Sequence, residues 1–288
     1  MLNDESRVRF ALPGKGRLKD PAIELLQKAG FRFRAKGRNL YATCTSDNIT
    51  FIFVRADDIP LLVQKGVVDM GITGSDLVIE RDADVKQLLE LGFGRCRLCV
   101  AVKEECDSKD YSFLKNATVA TSFPRITTDF FKKNNTDINI VQMNGSVEIM
   151  VALGLADAIV DIVETGDSLR DNNLKVFSDI ASYETVLIAN HGFASKSPMT
   201  EMISRRIEGI LVATRYSILE YNIDKKNLFK AEKITPGYNS PTLSPLENEG
   251  LFAVKVMVLK GDVPSVMDKL EAIGATAIIE SEIKNCRL

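Results

Sequence analysis

The sequence predicts an α/β protein made of two lobes of related design, followed by a smaller α+β part. Three observations carry this expectation. Short strand-like apolar runs alternate with helix-like segments along most of the chain. Two stretches echo one another: a helix, Gly66, two residues, Asp69, a short strand and Thr73-Gly74-Ser75-Asp76 before Leu77, then a helix, Gly154, two residues, Asp157, a short strand and a Thr/Gly/Asp/Ser turn before Leu169. Finally, TPGYNSPTLSP at 235–245 marks a change of character with three prolines.

Composition sets outer bounds. A chain of 288 residues is expected to hold two or three domains. With 45% hydrophobic and 26% charged residues it matches a soluble globular protein, and a net charge of -2 gives no general electrostatic case for nucleic acid. MLNDESRVRF has acids where a signal peptide needs a basic segment and an apolar run, and no stretch approaches a membrane span, so a cytosolic location without membrane partners is expected. The five cysteines are expected to be reduced core thiols, the Cys96/Cys99 pair included. His191, the one histidine, lies in an Asn-His-Gly turn signal and is expected to be a solvated turn residue.

Taken in order, 7–12 (RVRFAL) alternates as a first strand. The loop Pro13-Gly14-Lys15-Gly16-Arg17-Leu18 follows, then a helix over 20–29 with Asp20 as cap, Pro21 in the first turn and Glu24 near the positive end. The GKGR loop puts two cations at a strand's C-terminal end; it is no Walker motif, and in isolation it reads as a solvated basic turn. Residues 49–55 form a strand ending in Arg55, and Asp57-Asp58-Ile59-Pro60 begins a helix that Gly66 stops. The chain crosses to the second lobe at 92–97, where Gly92 and Gly94 lack the third glycine of a dinucleotide fingerprint. Strands follow at 98–102, 117–121 and 138–143, with a charged loop over 103–115 and a helix bearing Phe130 and Phe131. Further strands at 174–177 and 185–189 bracket a second crossing near Ser182. Residues 199–221 are expected as one long helix, with Met202, Ile203, Ile207, Ile210, Leu211, Thr214 and Ile218 on helical spacing. Beyond the proline-rich run, 251–259 alternates as a strand, Asp262 caps a helix with Val263, Val266, Met267, Leu270 and Ile273 on one face, and 277–283 returns as a strand. The expected division is 1–96 plus 182–215, 97–181, and 216–288.

The stretch from Glu148 to Leu169 carries the most chemistry. Its strand AIVDIV, 158–163, has Asp161 in the middle of an apolar run. Burying an unpaired carboxylate costs several kcal/mol, so Asp161 needs the strand's open end, a strong partner or a polar ligand. Glu164-Thr165-Gly166-Asp167-Ser168-Leu169 then turns into a helix. Ligands of open α/β sheets bind at the carboxyl ends of strands, where N–H and hydroxyl groups suit a phosphate and carboxylates suit sugar hydroxyls or a Mg²⁺ ion carrying phosphates. Asn144-Gly145-Ser146, at the preceding helix start, is a second place for an anion. Alone, TGDS is an ordinary turn and cap; flanked by acids and echoed at 73–76, it marks one wall of a ligand cleft.

Together these residues resemble the long form of the ATP phosphoribosyltransferases. The likeness covers nearly the whole chain: PGKGRL at 13–18, VRADDIP at 54–60, GVVDMGITGSD at 66–76, GRCRL ending at Leu98, ATSFPR at 120–125, NGSVE at 144–148, the spaced pattern from Glu148 to Leu169, and PTLSPL at 241–246. It implies a two-lobed, periplasmic-binding-protein-like catalytic core with a C-terminal ferredoxin-like or ACT-like regulatory domain. It also implies transfer of phosphoribosyl from phosphoribosyl pyrophosphate to N1 of the ATP adenine with loss of pyrophosphate, the first step of histidine biosynthesis. Mg²⁺ as cofactor, histidine as feedback inhibitor and a homo-oligomer, dimer or hexamer, come with it. By the same resemblance, Thr165, Gly166, Asp167 and Ser168 take the ribose 5-phosphate, and Asp161 and Glu164 the ribose hydroxyls. Lys15, Arg17, Arg55 and Arg97 are the candidates for pyrophosphate and ATP phosphates, Glu148 organises the cleft, and Gly16, Asp76, Phe123 and Leu169 complete the substrate-binding set. No side chain acts as nucleophile, because the substrate nitrogen does. Two positions depart from the family pattern: Ser168 replaces the usual Thr and keeps its hydroxyl, while Phe123 replaces a frequent Tyr and loses one. The two-lobed layout also resembles solute receptors, so a non-catalytic binding module is the competing expectation. Other phosphoribosyltransferases place two adjacent acids after an apolar strand, a run missing here.

Overall fold

The computed structural model describes residues 7–34, 39–163 and 166–288. Two compact units emerge, Met1–Gln27 with Phe31–Thr200, and Lys28–Gly30 with Glu201–Leu288.

Within the first unit the chain starts in one lobe with β1 (Val8–Pro13), α1 (Lys19–Lys28), β2 (Tyr41–Thr43), β3 (Ile49–Val54), α2 (Ile59–Gln64), β4 (Met70–Gly74), α3 (Ser75–Glu80) and β5 (Lys86–Glu90). It crosses to the second lobe through β6 (Cys96–Lys103), β7 (Thr118–Thr121), α4 (Pro124–Lys133), β8 (Asn139–Gln142), α5 (Glu148–Ala152), β9 (Ala158–Val163), α6 (Asp167–Asp171) and β10 (Leu174–Tyr183). It then returns with β11 (Thr185–Ala189) and α7 (His191–Lys196). The first sheet has the order β2-β3-β1-β4-β11-β5, and the second β10-β6-β9-β7-β8. Parallel pairs β1·β3, β1·β4, β7·β8 and β7·β9 form the heart of each sheet, and the burial this brings on both faces matches the apolar runs of β3 and β4. Two α/β lobes joined by two crossings make this a periplasmic-binding-protein-like core. Phe51 anchors the first lobe, its ring 5.6 Å from that of Phe10 and 4.1 Å from that of Phe33.

The second unit contains most of α8 (Pro198–Arg215), then β12 (Tyr216–Asp224), α9 (Leu228–Ile234), β13 (Thr242–Pro245), β14 (Leu251–Leu259), α10 (Val263–Ala272) and β15 (Thr276–Glu282). Its sheet, β13-β14-β12-β15, is antiparallel, and with the two helices it makes a ferredoxin-like βαββαβ fold. Leu219, Tyr221, Ile223, Val254, Val256, Val263 and Leu270 form its core.

Several expected elements need correction. The long helix stops at Arg215, and 216–224 is the central strand β12, whose buried residues Ser217, Leu219, Tyr221 and Ile223 alternate with period two. The proline-rich run, expected to separate two structured parts, is the α9–β13 connection plus β13 inside one unit. β10 is longer than the expected 174–177, because it pairs along β6 through two register shifts. β2 carried no recognisable pattern, being three residues long at a sheet edge. His191 is exposed as expected but opens α7, where Asn190 caps the helix by accepting from Gly192 N at 2.9 Å; His191 Nε2 lies 2.9 Å from Asp84 Oδ1. Among the described residues no disulfide forms, and Cys44, Cys96 and Cys99 are buried.

Candidate active site

The strand β9 brings Asp161 to a half-buried position beside α5 and α6. Burial pushes its carboxyl pKa up to about 6, a backbone hydrogen bond at Ile162 works against the rise, and the charge of Glu148 adds to it. Glu148, the first residue of α5, accepts a hydrogen bond from Ser168 Oγ on α6, so the two short helices meet over the strand end. Gly166 caps α6 at φ +80°, a left-handed conformation that a side chain would strain. Asp167 pairs with Arg170 one turn on. Leu169 sends its side chain into the core with Val151 and Val163, leaving its backbone to any ligand. Glu164 and Thr165 lie outside the described residues.

The loops after the parallel strands of both lobes converge on two cavities. One, of about 620 Å³, is lined on the first lobe by Lys15, Gly16, Arg55 and Arg81, and on the second by Ser122, Phe123, Asn144 and Gly145. The other, of about 630 Å³, is lined by Arg17, Ser75, Arg95, Arg97, Val163 and Glu184. These are the carboxyl-end positions at which α/β sheets hold ligands. Arg17 is oriented by donating from Nη1 to the Gly94 carbonyl at 2.8 Å. Gly94 must be glycine: it has φ +63°, and a Cβ there would stand 2.5 Å from both Leu18 Cδ2 and Thr185 Oγ1.

Arg97 grips Asp179 with one nitrogen on both carboxylate oxygens, at 3.0 and 2.9 Å, and the Cys99 thiol donates to the same carboxylate at 3.1 Å. That thiol hydrogen bond and Arg97 hold Asp179 below the usual carboxylate range, while burial and Asp179 push Cys99 up to about 12. The Cys99 thiol therefore stays protonated at neutral pH. Asp76, 3% exposed at the start of α3, is raised by burial, with the Leu77 amide and then Arg17 opposing the shift. Phe123 is buried and borders the first cavity without a hydroxyl to offer.

The sequence patterns of a known family fit this geometry along the chain: the family described as HisG: ATP phosphoribosyltransferase matches residues 55–209, and the HisG C-terminal domain matches residues 213–285. A protein named ATP phosphoribosyltransferase from Rhodopirellula baltica is 46% identical over 284 residues, 99% of this chain and 95% of its own. The chain belongs to the ATP phosphoribosyltransferase family. A relative of the same name from Salinibacter ruber is 36% identical over 98% of this chain and all of its own. Among solved structures, the ATP phosphoribosyl transferase (HisG:HisZ) complex from Thermotoga maritima matches with a TM-score of 0.61 at 27% identity, over 70% of this chain and 98% of that one. The chain is thus a phosphoribosyl-transferring enzyme of histidine biosynthesis.

For this transferase family member, the structure adds residues that spacing did not reveal. Glu80, Asp57 and Arg81 join Lys15 at the first cavity, and Arg95, Tyr183 and Glu184 join Arg17 at the second. Glu184 Oε2 is shielded from solvent without a hydrogen-bond partner among the described residues, 3.6 Å from Arg95 Nε. The available signal was a carboxylate between two strand-like runs at the second crossing.

Proposed function

We propose that the cleft between the lobes is where phosphoribosyl pyrophosphate and ATP react, with the division of labour that follows. N1 of adenine attacks the anomeric carbon of the phosphoribosyl group with inversion, and the bond to pyrophosphate breaks as the new C–N bond forms. The demand on the protein is placement of two anionic substrates and stabilisation of charge on the departing diphosphate. Gly166, Asp167, Ser168 and Leu169, with Thr165, bind the 5-phosphate through N–H and hydroxyl groups at the α6 start. Asp161, ionised above about pH 6, and Glu164 hold the ribose hydroxyls, while Glu148 orients Ser168. Lys15, Gly16, Arg17 and Arg55 take the pyrophosphate and ATP phosphates, and Asp76 and Phe123 border the substrates.

Arg97 serves the same anions by exchanging Asp179 for phosphate. Its pair with Asp179 is half exposed, at 47% and 51%, and such solvent-screened pairs hold weakly, so a diphosphate competes readily. Among the described residues no group of three or more His, Cys, Asp or Glu side chains is arranged to hold a metal. A divalent ion such as Mg²⁺, carried on the substrate phosphates, would neutralise charge on the leaving group, and Lys15, Arg17 and Arg55 would share that work. The ferredoxin-like unit binds histidine and inhibits from a separate site, the enzyme assembles as a dimer or hexamer, and it works in the cytoplasm.

The observation that supports this reading is the meeting of first-lobe cations with second-lobe loops: Lys15 and Arg55 face Ser122 and Asn144-Gly145 around one cavity, and Arg17 faces Arg97 and Val163 around the other, while Asp161 and 166–169 follow on from Val163 without lining either cavity. Asp161→Asn combined with Ser168→Ala tests it: affinity for phosphoribosyl pyrophosphate should fall far more than affinity for ATP. Equal losses for both would make the stretch structural.

A further inference from the structure

We infer that Glu80 is a positioning residue that latches the two lobes across the cleft, with Arg125 and Asp82 as the second half of the latch; this rests on the cleft being the site of reaction. Glu80 ends α3 in the first lobe, and α4 begins in the second directly after the cavity wall Ser122-Phe123. The Glu80 carboxylate accepts the backbone N–H of Arg125 on one oxygen and that of Ile126 on the other, both at 3.0 Å. The first amides of a helix have no acceptor within their own helix and carry the positive end of its dipole, so a carboxylate is their preferred partner. Such a cap ordinarily comes from the residue just before the helix. Here Phe123 occupies that position and makes no side-chain cap bond, and the cap arrives from the other lobe, 45 positions earlier in the chain.

The contact is returned in the opposite sense. Arg125 reaches back from α4 to Asp82, just beyond the end of α3, at 2.9 Å. A first-lobe anion thus holds second-lobe amides, and a second-lobe cation holds a first-lobe anion, at the same two helix ends. Glu80 also borders the cavity whose two walls carry Lys15 and Arg55 on one side and Asn144 and Gly145 on the other. The latch therefore sets the separation of the two substrate-bearing walls, and transfer between two bound substrates depends steeply on that separation.

The test uses the full chain, first without substrate. Peptide-resolved amide hydrogen exchange of the wild type should show protection at Arg125 and Ile126, since among the described residues Glu80 is the acceptor that covers both amides. Glu80→Ala should raise their exchange, and the KM for both substrates together, by about ten-fold, the factor that corresponds to about 1.4 kcal/mol of lost charge-assisted hydrogen bonding. Exchange in β9 should stay unchanged. Asp82→Arg and Arg125→Asp should each loosen the same amides, and the double swap should restore most of the protection. Fast exchange of these amides in the wild type, no change in Glu80→Ala, or a double swap as loose as the singles would overturn the latch. A rise in KM for one substrate alone would overturn it in favour of direct substrate contact. Exchange is measured without turnover, so absence of transfer activity would refute the proposed reaction and leave the latch standing or falling on its own result.

Discussion

At Asp161, burial on β9 and then the neighbouring charge of Glu148 raise the carboxyl pKa to about 6, so at neutral pH the folded chain carries a charge it holds at a cost. The unfolded chain loses this proton near 3.8, so between there and about 6 the folded state binds more protons than the unfolded one. Stability from this group therefore falls as pH rises through that window and levels off above it. Asp161→Asn should raise the unfolding free energy at pH 7.5 by on the order of 1–3 kcal/mol and leave it unchanged near pH 3.5, checked by urea unfolding at both pH values. The same change should weaken phosphoribosyl pyrophosphate binding. A gain in stability with unaltered binding would remove Asp161 from the site. Asp161 was legible in the sequence because a carboxylate inside AIVDIV breaks an otherwise apolar run. The Arg97–Asp179 pair was not legible, because 82 positions separate the two and the β6·β10 pairing brings them together.

The elements show the same contrast between local and non-local signals. β1, β3, β4 and β9 are mostly buried strands with parallel partners, and their apolar character named them, alternating in β1 and interrupted by Asp161 in β9. β12 was concealed because Ile218 continues the helical spacing of α8, and pairing with β14 and β15 on both sides decides the matter instead. On a strand, Leu219 faces the core while Ile218 faces the opposite side. Leu219→Ala should accordingly cost about 2–5 kcal/mol and Ile218→Ala much less, measured by chemical denaturation. Equal costs would contradict this register. At the first crossing, Gly94→Ala forces a Cβ against Leu18 and Thr185 and disturbs the carbonyl that orients Arg17. It should cost about 1–3 kcal/mol in stability and raise KM through the anion site, a change readable in steady-state kinetics.

Across the whole molecule, the two-lobed plan was legible from the echo of 66–77 in the later stretch, whereas the internal elements of the second unit were not. Its first strand looked helical and its proline-rich connection looked like a boundary. A chain ended after Thr235 keeps β12 without β14 and β15, exposes Leu219, Tyr221 and Ile223, and should aggregate. A chain ended after Thr200 removes the second unit nearly whole and should still release pyrophosphate while losing inhibition by histidine. Inhibition that persists would move the effector site into the first unit. The central claim is that this cleft joins ATP to a phosphoribosyl group, and the most direct measurement is pyrophosphate release by the purified full-length protein given ATP, phosphoribosyl pyrophosphate and Mg²⁺. Release that requires all three, matched by formation of the N1-phosphoribosylated nucleotide, is the predicted result; intact, folded protein that releases none would contradict it.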